Sequence, residues 1–240
     1  MRSRKVSPSE PVSELRRIKI IDNGEKLVDY LEACPKLVVA EHVFDYRYES
    51  VARERVVQGL CIASESLPKG ISLAMHEGWR PHHIQRRMYM EAWNRWKEKH
   101  PEWSDTQLKR VVNRFTAPLN DKVPPPHSTG GAVDVWLVDK SGERLDFRGN
   151  YDFWDAKSFP FDAKDLTAEA RENRLMLKEA MEKGGISNYP SEWWHWSYGD
   201  QGWAYRTGAE HALYGVIEPD NYQPDPRDVV DEPVRHADGS

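Results

Sequence analysis

One run constrains this chain more than any other: Pro126-His127-Ser128-Thr129-Gly130-Gly131-Ala132-Val133-Asp134. From Val133 onward the residues alternate. Val133, Val135 and Leu137 fall on one side and Asp134, Trp136 and Val138 on the other, the two-residue period of a β-strand. Pro124-Pro125-Pro126 interrupts regular structure just before it, and two consecutive glycines let the backbone turn back tightly. A His in the turn and an Asp on the strand can then aim at one point. A second segment, Ser191-Glu192-Trp193-Trp194-His195-Trp196, supplies another His with a Glu three residues before it, on another alternating stretch that reaches Tyr198.

Two His, one Asp and a spare Glu are the inventory of a catalytic zinc site. Three protein ligands leave the fourth tetrahedral position open, and the cation lowers the pKa of a water there toward about 7. The Glu can take that water's proton and pass it to a leaving amine. Composition narrows the choice of ligands. Cys34 and Cys61 are the only cysteines among 240 residues, too few for a disulfide framework or a four-thiolate site, so any metal must be held by His and carboxylates. The net charge of −5, without a basic run, argues against a nucleic-acid surface. No stretch approaches the roughly 20 apolar residues of a membrane span, and the polar stretch from Met1 to Glu14 lacks an apolar signal core. The expected address is cytoplasmic.

The remaining pattern mixes strands and helices without regular βαβ alternation, which predicts an α+β fold. Ile71, Leu73 and Met75 alternate with Ser72, Ala74 and His76, a strand running into Glu77-Gly78-Trp79-Arg80-Pro81. Ile84, Met88, Ala92 and Trp96 recur every four residues, an amphipathic helix ending near Pro101. A second helix is expected after Ser104 as N-cap, and a third over Asp165–Lys183 with Thr167 as a candidate cap. Val51 to Ser66 gives no clear periodicity. His82 and His83 are adjacent, diverge by about 100° on a helix, and are read as exposed rather than as a second metal site. Residues 1–14 are expected to form a flexible N-terminal arm, 15–217 the folded domain that carries the zinc site, and 218–240 an acidic, Pro-rich, disordered tail.

His127-x-x-Gly130-x-Ala132-x-Asp134 followed by Glu192-Trp193-Trp194-His195 resembles the D-alanyl-D-alanine dipeptidase family of zinc D,D-peptidases, in its vancomycin-resistance dipeptidase branch. Gly78-Trp79-Arg80-Pro81 and Tyr151-Asp152-Phe153 match further segments of that branch. The resemblance implies a small antiparallel sheet with packed helices, the zinc D,D-peptidase/hedgehog-like fold, and one zinc ion per chain held by His127, Asp134 and His195. It makes Glu192 the general base and acid, and Arg80 the partner of the developing oxyanion. Asp152 would pair with the substrate ammonium, with Tyr48 helping to hold that end. Pro125 stands where the family has a Ser that helps bind the substrate carboxylate; Ser128, Thr129 and Arg206 remain open as replacements. The implied reaction is hydrolysis of a short peptide, most readily a D-Ala-D-Ala-type dipeptide. The alternatives are a dipeptidase, carboxypeptidase or amidase of the same chemistry on another peptidoglycan-derived or small peptide, or a non-catalytic zinc-stabilised binding module. An unligated Glu192 argues against the last.

Overall fold

The computed structural model describes residues 9–42, 44–113, 116–117, 122–152 and 155–229. In chain order the elements are helix α1 (Val12–Leu15), strand β1 (Leu27–Asp29), helix α2 (Tyr30–Ala33), strands β2 (Val38–Val39) and β3 (Val51–Arg53), helix α3 (Glu54–Ser66), strand β4 (Ile71–Glu77), and helices α4 (His82–Lys99) and α5 (Asp105–Val112). A 3-10 turn (Pro126–Thr129) leads into β5 (Ala132–Asp139), followed by α6 (Ala168–Lys183), β6 (Ser187–Asn188), β7 (His195–Ser197) and α7 (Gln201–Thr207).

Five strands form one sheet in the order β2-β4-β5-β7-β6, and β1 pairs with β3 in a separate ribbon. The sheet is antiparallel except at its edge, where β2 runs parallel to β4. This is the α+β architecture expected from sequence. Alternation along β5 divides the molecule. Val133, Val135 and Leu137 face a core shared with Leu73, Met75, Leu60, Leu177, Met181 and Trp196. Helices α3 and α6 therefore cover that face, while Asp134 and Trp136 face a cavity on the other. Burial of the apolar face, at about 25 cal/mol per Å² removed from water, holds the layers together. The stripe Met88-Ala92-Trp96 on α4 lines the cavity rather than the core.

Local signals account for several element boundaries. Ser104 and Gln107 form a reciprocal capping box at the start of α5. Thr167 caps α6 at Ala168, its hydroxyl oxygen accepting from the Ala170 N–H. The ambiguous stretch 51–66 resolves into β3 and α3. Buried Arg53 at that junction donates to the Thr129 carbonyl and pairs with Asp22, so the chain is organised there by contacts distant in sequence. Cys34 and Cys61 are joined by a disulfide at a Cα separation of 5.3 Å, tying α2 to α3.

Described parts of two segments read as loose from sequence make packing contacts. Residues 1–8 of the expected arm lie outside the described residues, but Glu10 is buried, α1 follows, and Leu15 is buried. Of the expected tail, 230–240 lie outside the described residues. Within 218–229, the Tyr222 ring meets Trp79 edge-on, and buried Asp228 pairs with Arg87 on α4. His83, read as exposed, is half-buried and stacks on Tyr222. Composition does not reveal these contacts, because each needs a partner far along the chain.

Candidate active site

Strand pairing assembles the centre of the site. Asp134 on β5 lies directly opposite His195 on β7, so their side chains share the cavity face. The Trp196–Val133 pair beside them points into the core. His127 reaches the same point from the 3-10 turn, whose C-cap is Gly130 at φ 69°, a left-handed conformation that glycine adopts without strain. Asp134 Oδ1 stands 2.9 Å from His195 Nδ1 and 3.3 Å from His127 Nε2, and the two ring nitrogens are 3.2 Å apart. All three side chains are buried.

These donors suit a divalent cation. His127 Nδ1 lies 2.8 Å from the Gly78 carbonyl and donates to it, which leaves the Nε2 lone pair facing Asp134 and His195. The three candidate ligand atoms all lie within 4.8 Å of one another. Neighbouring ligand atoms of a tetrahedral zinc are about 3.3–3.5 Å apart, close to the spacing seen here. Burial pushes the Asp134 carboxyl up, but the charges and hydrogen bonds of His127 and His195 outweigh it and hold the group well below the usual carboxylate range.

Glu192 lies three residues before His195 in the turn between β6 and β7, and its side chain lines the same cavity. Its pKa is pushed up to about 7, chiefly by burial, with the Asp134 and Glu10 carboxylates adding to the rise. A carboxyl that changes charge near neutrality is suited to accept and return a proton.

Arg80 is not a surface residue. It is buried on the cavity wall, its Nη2 is 4.0 Å from Asp134 Oδ2, and its guanidinium is fixed by Glu77 and Gln85. Glu77 takes both Arg80 Nε and Nη2 and also accepts from the Tyr46 hydroxyl. This arrangement depends on an irregularity in the sheet. Met75 pairs with Val135 and Glu77 with Asp134, so β4 carries one extra residue and Glu77 turns to the cavity side instead of the core. The sequence pattern placed Glu77 only at the end of an alternating strand and did not reach Tyr46 or Gln85; the one available signal was the three-residue spacing of Glu77 and Arg80. We expect Glu77→Gln to cost about 3–5 kcal/mol, the range for breaking a buried ion pair, in a urea unfolding experiment near neutral pH.

The other expected site residues divide. Tyr48 lines the cavity, with its hydroxyl donated to the Phe44 carbonyl and its ring stacked on His42. Asp152 is exposed and does not line the cavity, so the structure does not bring it to the site. Its neighbour Phe153 lies outside the described residues. Of the candidate carboxylate binders, the Ser128 and Thr129 hydroxyls donate to the Pro125 and Pro126 carbonyls of their own turn. Arg206 lines the cavity. The cavity has a volume of about 1160 Å³.

A family profile described as D-ala-D-ala dipeptidase matches residues 41–213. The chain belongs to the D-Ala-D-Ala dipeptidase family. Residues 127, 134, 192 and 195 all fall inside the matched span. A D-alanyl-D-alanine dipeptidase from Synechocystis sp. is 33% identical over 135 residues, 49% of this chain and 55% of that protein. One from Enterococcus faecalis is 30% identical over 137 residues, 55% of this chain and 64% of that protein. The chain thus matches only a little over half the length of these curated relatives. A vancomycin resistance D,D-pentapeptidase VanY from a VanB-type cassette, solved with Zn(II), aligns with a TM-score of 0.41 at 16% identity, over 71% of this chain and 89% of that one. None of the described helices is long and apolar enough to cross a membrane.

Proposed function

We propose that this member of the D-Ala-D-Ala dipeptidase family hydrolyses a short peptide, with a D-Ala-D-Ala-type dipeptide as the first candidate. The observation that carries the reading is the convergence of His127, Asp134 and His195 on one point, with Glu192 and Arg80 on the walls of the same cavity. His127, Asp134 and His195 are the residues that would hold zinc, which when bound supplies a Lewis acid and a water of lowered pKa. Glu192 accepts a proton from the attacking water and returns it to the amine that leaves. Arg80, kept cationic and oriented by Glu77, donates to the carbonyl oxygen as negative charge develops on it. Trp136, Trp193 and Trp194 on the cavity walls limit bulk water there and so strengthen these charge interactions.

Tyr48 is proposed to contribute to the substrate-binding wall. The position of Asp152 gives no support to its pairing with a substrate ammonium, so a demand for a free amino end rests on the family resemblance alone. We take the peptidase domain to span 15–217, with 10–14 and 218–229 packed onto it. A disulfide between Cys34 and Cys61 counts against the expected cytoplasmic address, because such bonds persist in oxidising compartments; thiol titration of freshly isolated protein decides between them.

The test is a panel of D,D, L,D and L,L dipeptides, free and N-acetylated, with and without a chelator. Chelator-sensitive cleavage of free dipeptides with a C-terminal D-residue supports the reading. Preference for N-acetylated substrates points to a carboxypeptidase, and zinc content without any turnover points to a binding module.

A further inference from the structure

The cavity extends past His195 to a second set of charged groups that the chemistry above does not use. Arg206, on α7, reaches back to the sheet, where its Nη2 donates to Ser197 Oγ at 2.6 Å and its Nε to Ser187 Oγ at 3.1 Å. Ser197 and His195 lie two residues apart on β7, hence on the same face and about 7 Å apart. The guanidinium therefore stands one strand step beyond the candidate ligand His195, in the same cavity. Its side chain is only 9% exposed.

The remaining partner of Arg206 comes from 196 residues away. Arg206 Nη1 donates to Glu10 Oε1, and the Glu10 side chain is 8% exposed. The carboxylate sits over Gly202, where an added Cβ would lie 2.6 Å from Glu10 Oε2 and 3.0 Å from Arg206 Nη1. Gly202 thus leaves a cradle for one carboxylate beside one guanidinium. The Glu10 backbone is in the left-handed region at φ 43°, which a non-glycine residue adopts only under strain. Burial raises the Glu10 pKa despite Arg206, so the carboxylate is held there at a cost.

The terminal carboxylate of a dipeptide is only a few bonds from its scissile carbonyl, which matches the single strand step between His195 and Ser197. Pro125 offers neither a hydroxyl nor an N–H, and the Ser128 and Thr129 hydroxyls donate within their own turn. Of the cations that line the cavity, Arg206 is bonded to Ser197, one strand step from His195, which places it to take that carboxylate. We propose that Arg206 anchors the C-terminal carboxylate of the substrate peptide, and that Glu10 occupies this anchor as an internal competitor which the substrate displaces. The N-terminal segment then acts as a built-in brake on the site.

This inference rests on the peptidase reading for its substrate, so its test uses binding as well as turnover. Calorimetry measures the affinity of D-Ala-D-Ala and of its C-terminal amide for zinc-loaded protein carrying Glu192→Gln, alone and combined with Glu10→Gln or Arg206→Met. Glu10→Gln is expected to tighten the free acid about tenfold, the scale of one charge-assisted hydrogen bond, and to leave the amide unchanged. Arg206→Met is expected to weaken the free acid about tenfold or more and to erase its advantage over the amide. Equal effects on acid and amide, or none on either, overturn the proposal, as does a failure of the free acid to bind at all. Arg206-dependent binding of the acid to a protein whose Glu192 form hydrolyses no dipeptide refutes the peptidase reading and leaves the anchor standing.

Discussion

Glu192→Gln is expected to retain a full equivalent of zinc and to lose turnover by about 10³-fold or more, toward the upper range for removing a positioned general acid–base. Metal content by mass spectrometry and kcat on a cleaved dipeptide check both halves, and a variant with near-normal kcat would remove the mechanism. The wild-type rate should fall on acidification, because the base must be ionised to accept a proton. Burial places that titration at about 7 in the metal-free protein, and a bound cation moves it lower by favouring the carboxylate.

The same residue predicts a stability effect of opposite sign. The Glu192 pKa is raised in the folded state from an ordinary value of 4.5, so its neutral form suits the fold and its charged form does not. The cost is absent below the unfolded value, grows as pH rises from 4.5 toward 7, and is complete above that. Glu192→Gln should therefore stabilise the metal-free protein by up to about 3 kcal/mol at pH 8 and by almost nothing at pH 4. Urea titrations of both proteins at the two pH values read this directly. Identical curves at pH 8 would mean that the carboxyl is solvated rather than buried.

Removal of the metal or of a ligand is the second large effect. Chelation should abolish activity, with recovery on adding zinc. Zinc in thousandfold excess over its dissociation constant should stabilise the protein by about 4 kcal/mol, seen as a rise in Tm. His195→Ala should lose both the activity and the zinc-dependent rise in Tm. It leaves Asp134 and His127 facing each other across the gap and removes the donor 2.9 Å from Asp134 Oδ1. If His195→Ala keeps the zinc-induced shift, the cation binds elsewhere and the proposed centre is wrong.

The metal-site candidates were legible because each half of the cluster is written locally. His127 and Asp134 are joined by a Gly-containing turn and a strand of strict alternation, and Glu192 and His195 by a single turn. The arginine on the cavity wall was legible from Gly78-Trp79-Arg80-Pro81, but the arrangement that fixes it was not. Glu77 reaches Arg80 through an extra residue in β4, and an irregularity in pairing has no signature in one strand alone. Asp152 is the opposite case: a short motif match implied a place in the site, whereas its side chain is exposed and does not line the cavity.

What the sequence determined by itself was chemistry within short reach: the donor types, their spacing on strands and turns, the α+β class, and the helices marked by caps and four-residue stripes. Tertiary structure decided everything that depends on closing long loops. It brought β5 against β7 so that Asp134 meets His195, set Glu10 on Arg206 across nearly the whole chain, and packed 218–229 against α4. Side-chain periodicity is a property of a few neighbouring residues, whereas such pairings are selected by the burial energy of the whole core.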